Sequence, residues 1–295
     1  MFELRCTVRN CSHRLERREN ALFCAAGHHF DRTKYGYWNL LQPQDKKSLD
    51  PGDSEDAVLA RHRWLERGYG HGLVTALRTW VEAVGDKFAK EQDAEEQAAG
   101  GQLADSQIPS RVLDLGCGEG TFGAALFSGP RYDYCGIDMA RRAIRIANRR
   151  WPEATWVLAN GDRILPVSDE SVRQVVSLFG RRPAAEIARV LVDDGDCIVA
   201  VPGADDLIEL RERVQQAGHQ RSRWEAIVEE FSRVGLELVE HQNWSEVRSL
   251  EPDAIADALA MTYRAVRRSQ NERANELTAM DVTLAADLMR FRNRR

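Results

Sequence analysis

The stretch Val112-Leu113-Asp114-Leu115-Gly116-Cys117-Gly118-Glu119-Gly120 constrains this chain more than any other, because an apolar run ends there in a turn with glycine at every second position. Glycines so placed let backbone approach a bound ligand where any Cβ would collide with it. A second strand expected over 132–137 ends at Asp138. An acid at the carboxyl end of the second strand can accept both hydroxyls of a ribose. Asn160-Gly161-Asp162 follows the next expected strand, where an amide or carboxylate can read an adenine amine. No Gly-Lys-Ser/Thr follows the glycines, and Glu119 would repel a pyrophosphate at the helix start. An acidic turn suits a nucleoside bearing a sulfonium and an amino-acid tail. The expected cofactor is therefore S-adenosylmethionine, held by Asp114, Gly116, Gly118, Glu119, Gly120, Asp138, Asn160 and Asp162. Cys117 reads as a small packing residue, since no histidine lies near it in sequence to activate a thiol.

Strand and helix patterns alternate from this turn onward. Strands are expected at 111–115, 132–137, 155–159, 173–179, 196–201 and 236–242, with helices from about 120 and over 140–150, 183–192, 205–217, 222–234 and 252–268 before a last mixed segment. This predicts an α/β fold, a doubly wound seven-stranded Rossmann-like domain over 110–295. Upstream, Ser54 can cap a helix carrying Val58, Leu59, Trp64 and Leu65 at helical spacing, and a second helix runs from His71 to about Lys90. Residues 91–109 hold few large apolar side chains and read as a flexible insertion, so 47–109 is expected to be a helical connector.

Residues 1–46 form the remaining unit. Cys6-x4-Cys11 and Cys24-x3-His28 give two ligand pairs around a short loop, the pattern that closes a tetrahedral Zn²⁺ site and folds a segment too small to fold unaided. His29 and the more distant His13 compete with His28 for the fourth position. Four protein ligands make such a site structural. The net charge of −5 argues against a uniformly basic surface, although both ends of the chain are mildly basic. No signal-like start and no apolar run of membrane length is present, so a cytoplasmic protein with no membrane partner is expected.

These residues resemble the RlmA-type methyltransferases, which modify guanine N1 in 23S rRNA and join a zinc module to a methyltransferase domain. The matching stretches are Cys24-Ala25-Ala26-Gly27-His28-His29-Phe30-Asp31, Lys34 to Leu41, Asp50-Pro51-Gly52-Asp53-Ser54, Arg61-His62-Arg63-Trp64-Leu65, the glycine turn, Leu207-Ile208-Glu209-Leu210 and Met261-Thr262. The resemblance implies zinc on Cys6, Cys11, Cys24 and His28, and cofactor contacts from Glu119, Gly120, His219 and an aromatic near Tyr69. It also implies a 23S rRNA hairpin as substrate, and a homodimer is compatible with it. The chain departs from the family at Phe179-Gly180-Arg181 and at Tyr263-Arg264, where the substrate loops are expected.

Methyl transfer needs nucleophile, methyl carbon and sulfur in line, and guanine N1 must lose a proton. The sequence does not name the base that takes it. Phe179 is the candidate to stack on a flipped guanine, with Arg181 and Arg264 as candidates to stabilise charge on that base or to bind flanking phosphate. Arg264, Arg267 and Arg268 fall on one helical face. Of Tyr35, Tyr37 and Trp38, at least two are expected to pack inside. Two other functions fit the same motifs: a small-molecule or protein methyltransferase, and a zinc-dependent RNA-binding protein whose catalysis has decayed.

Overall fold

The computed structural model describes residues 2–45, 52–98, 108–215, 218, 222–262 and 277–294. An N-terminal ribbon pairs β1 (Glu16–Arg18), β2 (Ala21–Phe23) and β3 (His29–Asp31) as an antiparallel sheet. β4 (Trp38–Asn39) then leaves the ribbon and joins the main sheet as its edge. Two helices follow, α1 (Glu55–Glu66), whose first turn is capped by the Ser54 hydroxyl, and α2 (His71–Ala98).

The remainder alternates: β5 (Ser110–Leu115), α3 (Thr121–Phe127), β6 (Tyr132–Asp138), α4 (Arg141–Arg150), β7 (Thr155–Leu158), β8 (Val172–Leu178), α5 (Ala184–Val190) and β9 (Leu191–Pro202). After β9 come α6 (Ile208–Leu210), a π-helical turn over Arg211–Gln215, α7 (Trp224–Ser232), β10 (Leu236–Leu250), α8 (Pro252–Thr262) and β11 (Met280–Asn293). The main sheet has the order β10-β11-β9-β8-β5-β6-β7-β4. It is parallel from β4 to β9, and β11 runs antiparallel between β9 and β10.

The doubly wound α/β domain with its N-terminal ribbon is as the sequence indicates, and β4 adds an eighth strand to the seven expected. Four segments differ from expectation. α2 continues to Ala98, into the stretch read as an insertion, because Glu, Gln and Ala are strong helix formers. β10 runs eight residues past Gln242, to Leu250, and the mixed C-terminal segment is the long strand β11. The expected helix 205–217 is a short α-turn passing into the π-helical turn.

Two apolar layers cover the sheet. On one face α5, α7 and the ribbon pack together through Leu4, Leu22, Phe30, Ile187, Ile227 and Phe231. On the other, α2, α3 and α4 pack through Leu77, Trp80, Phe127, Ile144 and Ala147 around Trp156. A third cluster joins α1, α6 and α8 to the ends of β10 and β11 and includes Trp64, Leu65 and Leu207. α1 is tied to α8 by charge, since Arg63 and Arg67 both donate to the buried carboxylate of Asp257 at 2.5 Å. No helix among the described residues is long and apolar enough to cross a membrane.

Candidate active site and metal centre

The metal centre forms from two tight turns. Cys6 N–H donates to His13 O at 2.9 Å, and Cys11 N–H to Val8 O at 3.0 Å across a turn in which Asn10 takes a left-handed conformation. Cys24 N–H donates to His28 O and Gly27 N–H to Cys24 O, both at 3.0 Å, with Gly27 at φ +84°. The result places the ligand atoms of Cys6, Cys11, Cys24 and His28 within 4.8 Å of one another. His28 Nδ1 lies 3.6 Å from the Cys6 sulfur and 3.4 Å from that of Cys24, and the sulfurs of Cys11 and Cys24 are 3.9 Å apart. Four donors at Zn–S lengths of about 2.3 Å around one tetrahedral ion would show similar separations.

His28 rather than His29 faces the thiols, because His29 stands in β3 with its ring stacked on Phe23. His13 reaches only Cys11, at 3.3 Å. Burial pushes the Cys6 thiol up to about 12, with Cys11 and Cys24 adding to the rise. Burial also raises Cys24, but the backbone of His28 and Ala26 and the neighbouring thiols outweigh it and lower that group. Crowded sulfur donors of this kind fit a thiophilic dication, which neutralises them together.

The candidate cofactor cradle begins where β5 stops. Gly116, Gly118 and Gly120 have φ of +70°, +56° and +78°, a region that L side chains rarely adopt. The amides of Gly116 and Cys117 both donate to Ile137 O, at 2.9 and 3.1 Å. The amide of Gly118 donates to Asp138 Oδ2 at 2.9 Å, while Asp138 Oδ1 accepts from Ala140 N–H at 2.7 Å. A Cβ on Gly120 would meet Trp156 Cη2 at 2.6 Å, and one on Gly116 would meet Gly180 Cα at 3.1 Å. A Cβ on Gly118 would meet the Arg61 guanidinium at 3.6 Å, an ordinary contact distance, so Arg61 packs over this part of the turn.

Carboxylates surround that guanidinium. Glu119 is only 2% exposed and is approached by Arg61 Nε at 3.4 Å, while Arg61 Nη2 donates to Asp53 at 2.9 Å. Burial works against the Arg61 charge, but Glu119, Asp53 and Asp138 outweigh it and hold the guanidinium more firmly protonated than usual. Gly52, at φ +98°, packs on the backbone of Ala140, where a Cβ would come within 2.8 Å of its nitrogen. The Gly52-Asp53-Ser54 segment thus lies against the end of β6, beside Asp138. Asp114 is buried and accepts a 2.6 Å bond from the Tyr134 hydroxyl, so it braces the turn from beneath. Burial raises its carboxyl to about 7, and the charges of Asp138 and Glu119 add to the rise against the Tyr134 bond. The Cys117 thiol is buried and raised well above its ordinary value, as an inert packing residue would be.

The other sequence candidates divide. Asp162 pairs with Arg181 at 3.5 Å, and the Asn160 side chain accepts from Asp162 N–H at 3.1 Å. Phe179 is 45% exposed, adopts φ +61° and faces Phe122 across 6.5 Å, just before the glycine that abuts the cofactor turn. Tyr69 packs tilted against Trp64 with ring centres 4.3 Å apart, in the cluster that also includes Phe122. His219 and Arg264, like Tyr263, Arg267 and Arg268, lie outside the described residues. Sequence reasoning gave no role to Arg61 or Phe122. The one signal for Arg61 was its place in a matching stretch, a basic residue eight positions after Asp53.

A glycine cradle ringed by acids, with a carboxylate clasping it from the end of β6 and a Cys3His ribbon ahead of it, marks an S-adenosylmethionine-dependent methyltransferase with a zinc-ribbon module. Residues 4–49 match the family described as RlmA, N-terminal, and residues 112–195 the one described as Methyltransferase domain. The chain is 31% identical over 216 residues to a Micromonospora griseorubida protein, covering 72% of this chain and 69% of that one. That relative is named "Putative 23S rRNA (guanine-N(1)-)-methyltransferase". The 23S rRNA (guanine(748)-N(1))-methyltransferase of Streptomyces fradiae is 27% identical, over 96% of this chain and 94% of its own. The chain belongs to the RlmA-type 23S rRNA guanine-N1 methyltransferase family.

Two outcomes follow from this geometry. Cys24→Ser is expected to lose bound zinc, read by elemental analysis of the purified protein, and an unchanged metal content would rule out the ligand set. The raised Asp114 carboxyl binds a proton in the folded chain at pH values where the unfolded chain has released it, so its contribution to stability is lost as pH rises. Between about pH 4 and pH 7 wild type should lose up to about 4 kcal/mol relative to Asp114→Asn. Parallel pH profiles of urea unfolding for the two proteins would contradict that assignment.

Proposed function

We propose that this chain transfers a methyl group to N1 of a guanine in a 23S rRNA hairpin, with S-adenosylmethionine in the glycine cradle and structural zinc on Cys6, Cys11, Cys24 and His28. The observation that carries the reading is Phe179, an exposed aromatic side chain on left-handed backbone at the rim of the cradle. An aromatic residue rarely takes that conformation without a reason, and strained backbone concentrates at functional sites. Its face offers a platform for a base lifted out of its stack, as enzymes acting on bases require.

Bound S-adenosylmethionine supplies an electrophilic methyl group and leaves as the neutral thioether. The chain's own residues do the rest by placement. Asp138 retains lone pairs to accept ribose hydroxyls while its backbone bonds fix its orientation. The acids about Arg61 favour a cationic ligand over an anionic one. Arg181, mostly exposed and next to Phe179 and Gly180, can face the negative charge left on the base when N1 gives up its proton. The same fold would serve a small-molecule acceptor, but an exposed aromatic with an adjacent arginine suits a nucleobase better.

Incubating the protein with S-adenosylmethionine and 23S rRNA lacking modifications should produce a reverse-transcription stop at one hairpin guanine, because methylation of N1 blocks pairing. Phe179→Ala should lower kcat/KM for RNA roughly 5- to 150-fold, the range set by loss of one base–aromatic stack, with little change in cofactor affinity. Transfer to free small molecules with no stop anywhere in the rRNA would overturn the proposal.

A further inference from the structure

Helix α4 reads Arg-Arg-Ala-Ile-Arg-Ile-Ala-Asn-Arg-Arg, five arginines in ten residues with no acid. Arg141, Arg145 and Arg149 recur at every fourth position and so share one face, rising about 6 Å per step. Like charges at that spacing repel, and an ordinary solvated helix face interleaves glutamates to relieve this. Relief here comes from outside and is partial. Arg142 pairs with Glu55 at 3.2 Å and Arg150 with Glu66, whereas Arg141 and Arg149 are exposed and have no ion-pair partner among the described residues.

Arg145 meets the ribbon. Its guanidinium carbon lies 4.2 Å from the centre of the Tyr35 ring, and Lys34 Nζ lies 5.1 Å from the same ring. Tyr35 is 42% exposed, while Tyr37 and Trp38 beside it are buried, so two of the three rings pack and one is left outside. Its position is built rather than incidental. Asn148 Nδ2 donates to Tyr35 O at 2.6 Å, and Gly36, at φ +96°, seats against the same amide, which a Cβ would approach to 3.1 Å. The helix begins three residues after Asp138, beside a cavity lined by Arg141, Arg142, Arg145, Asp53 and Glu55. The two acids there are engaged, Asp53 with Arg61 and Glu55 with Arg142.

We infer that Arg141, Arg145, Arg149, Lys34 and Tyr35 form a phosphodiester-binding track that carries the substrate RNA strand between the zinc ribbon and the cofactor cradle. The inference rests on the rRNA reading given above. A row of guanidiniums meets successive phosphates, and a ring backed by two cations stacks an unpaired base without regard to its identity. A net charge of −5 makes the concentration of positive charge on one helix local. The ribbon then has a mechanical role: it presents Tyr35 and Lys34 to α4, which is why a metal-closed module is joined to the sheet edge through β4.

The test compares the double variant Arg145→Gln/Arg149→Gln with a charge-matched control, Arg131→Gln/Arg233→Gln, whose positions lie outside α4, just ahead of β6 and β10. Binding of a 23S rRNA hairpin fragment is measured across a salt series, with methylation kinetics, S-adenosylhomocysteine affinity and zinc content alongside. The track variant should bind RNA at least tenfold more weakly at moderate salt, with the log–log salt slope shallower by about 1 to 2, as expected for loss of two phosphate contacts. Its kcat/KM should fall mainly through KM, while cofactor affinity and zinc content stay at wild-type levels. Tyr35→Ala should weaken RNA binding without changing the slope. Wild-type transfer to the hairpin with the track variant matching the control would overturn the track and leave the substrate reading standing. Failure of the wild-type chain to bind or methylate any 23S rRNA fragment would overturn both.

Discussion

The rest of the site hangs on the way the glycine turn is fastened to its neighbouring strand. β5 and β6 pair in parallel register up to Leu115 and Ile137, and there the chain must leave the sheet. Two amides of the turn converge on the carbonyl of Ile137, and a third grips the carboxylate of Asp138. Left-handed backbone at three glycines makes this possible, since side chains there would be strained or would strike Trp156 or Gly180. One clasp therefore sets both the shape of the cradle and the direction of the acid beside it. The segments that close the site pack on this clasp, Gly180 against Gly116 and Gly52 against Ala140.

Charge completes what the backbone begins. Glu119 is buried in the turn, and a buried carboxylate without a partner is costly. Arg61 supplies that partner from a helix 58 positions earlier in the chain, and its second interaction, with Asp53, ties the strap ahead of α1 to the same point. Asp114 and Asp138 are both pushed upward, chiefly by burial. Glu119, Asp53 and Asp138 held about the one guanidinium of Arg61 give this part of the site a field that favours a cation, as a sulfonium is.

The parts legible in the sequence were those whose physics is local. The glycine turn, Asp138 at the end of β6 and the Cys-x4-Cys and Cys-x3-His pairs declare themselves by spacing, and the alternation from β5 to β9 follows from periodicity. β11 was hidden because it lies between two strands and is largely buried, so its residues lose the alternation of a half-exposed strand, and Leu-Ala-Ala-Asp-Leu-Met also suits a helix. β4 is two residues long, too short to carry a pattern. The choice of His28 over His29 depended on which ring β3 turns outward. Arg61 and Phe122 act through partners far away in sequence, which no local pattern reports. The exposed Tyr35 could be separated from Tyr37 and Trp38 only once the neighbouring face of α4 was known.

The acids about Arg61 suit this cradle to a cationic nucleoside rather than a dinucleotide. Isothermal titration of the full chain with S-adenosylmethionine, in the presence and absence of NAD, tests it most directly. One saturable S-adenosylmethionine site per chain is expected, with an affinity that NAD does not alter. Saturation by NAD, with no heat from S-adenosylmethionine, would contradict it.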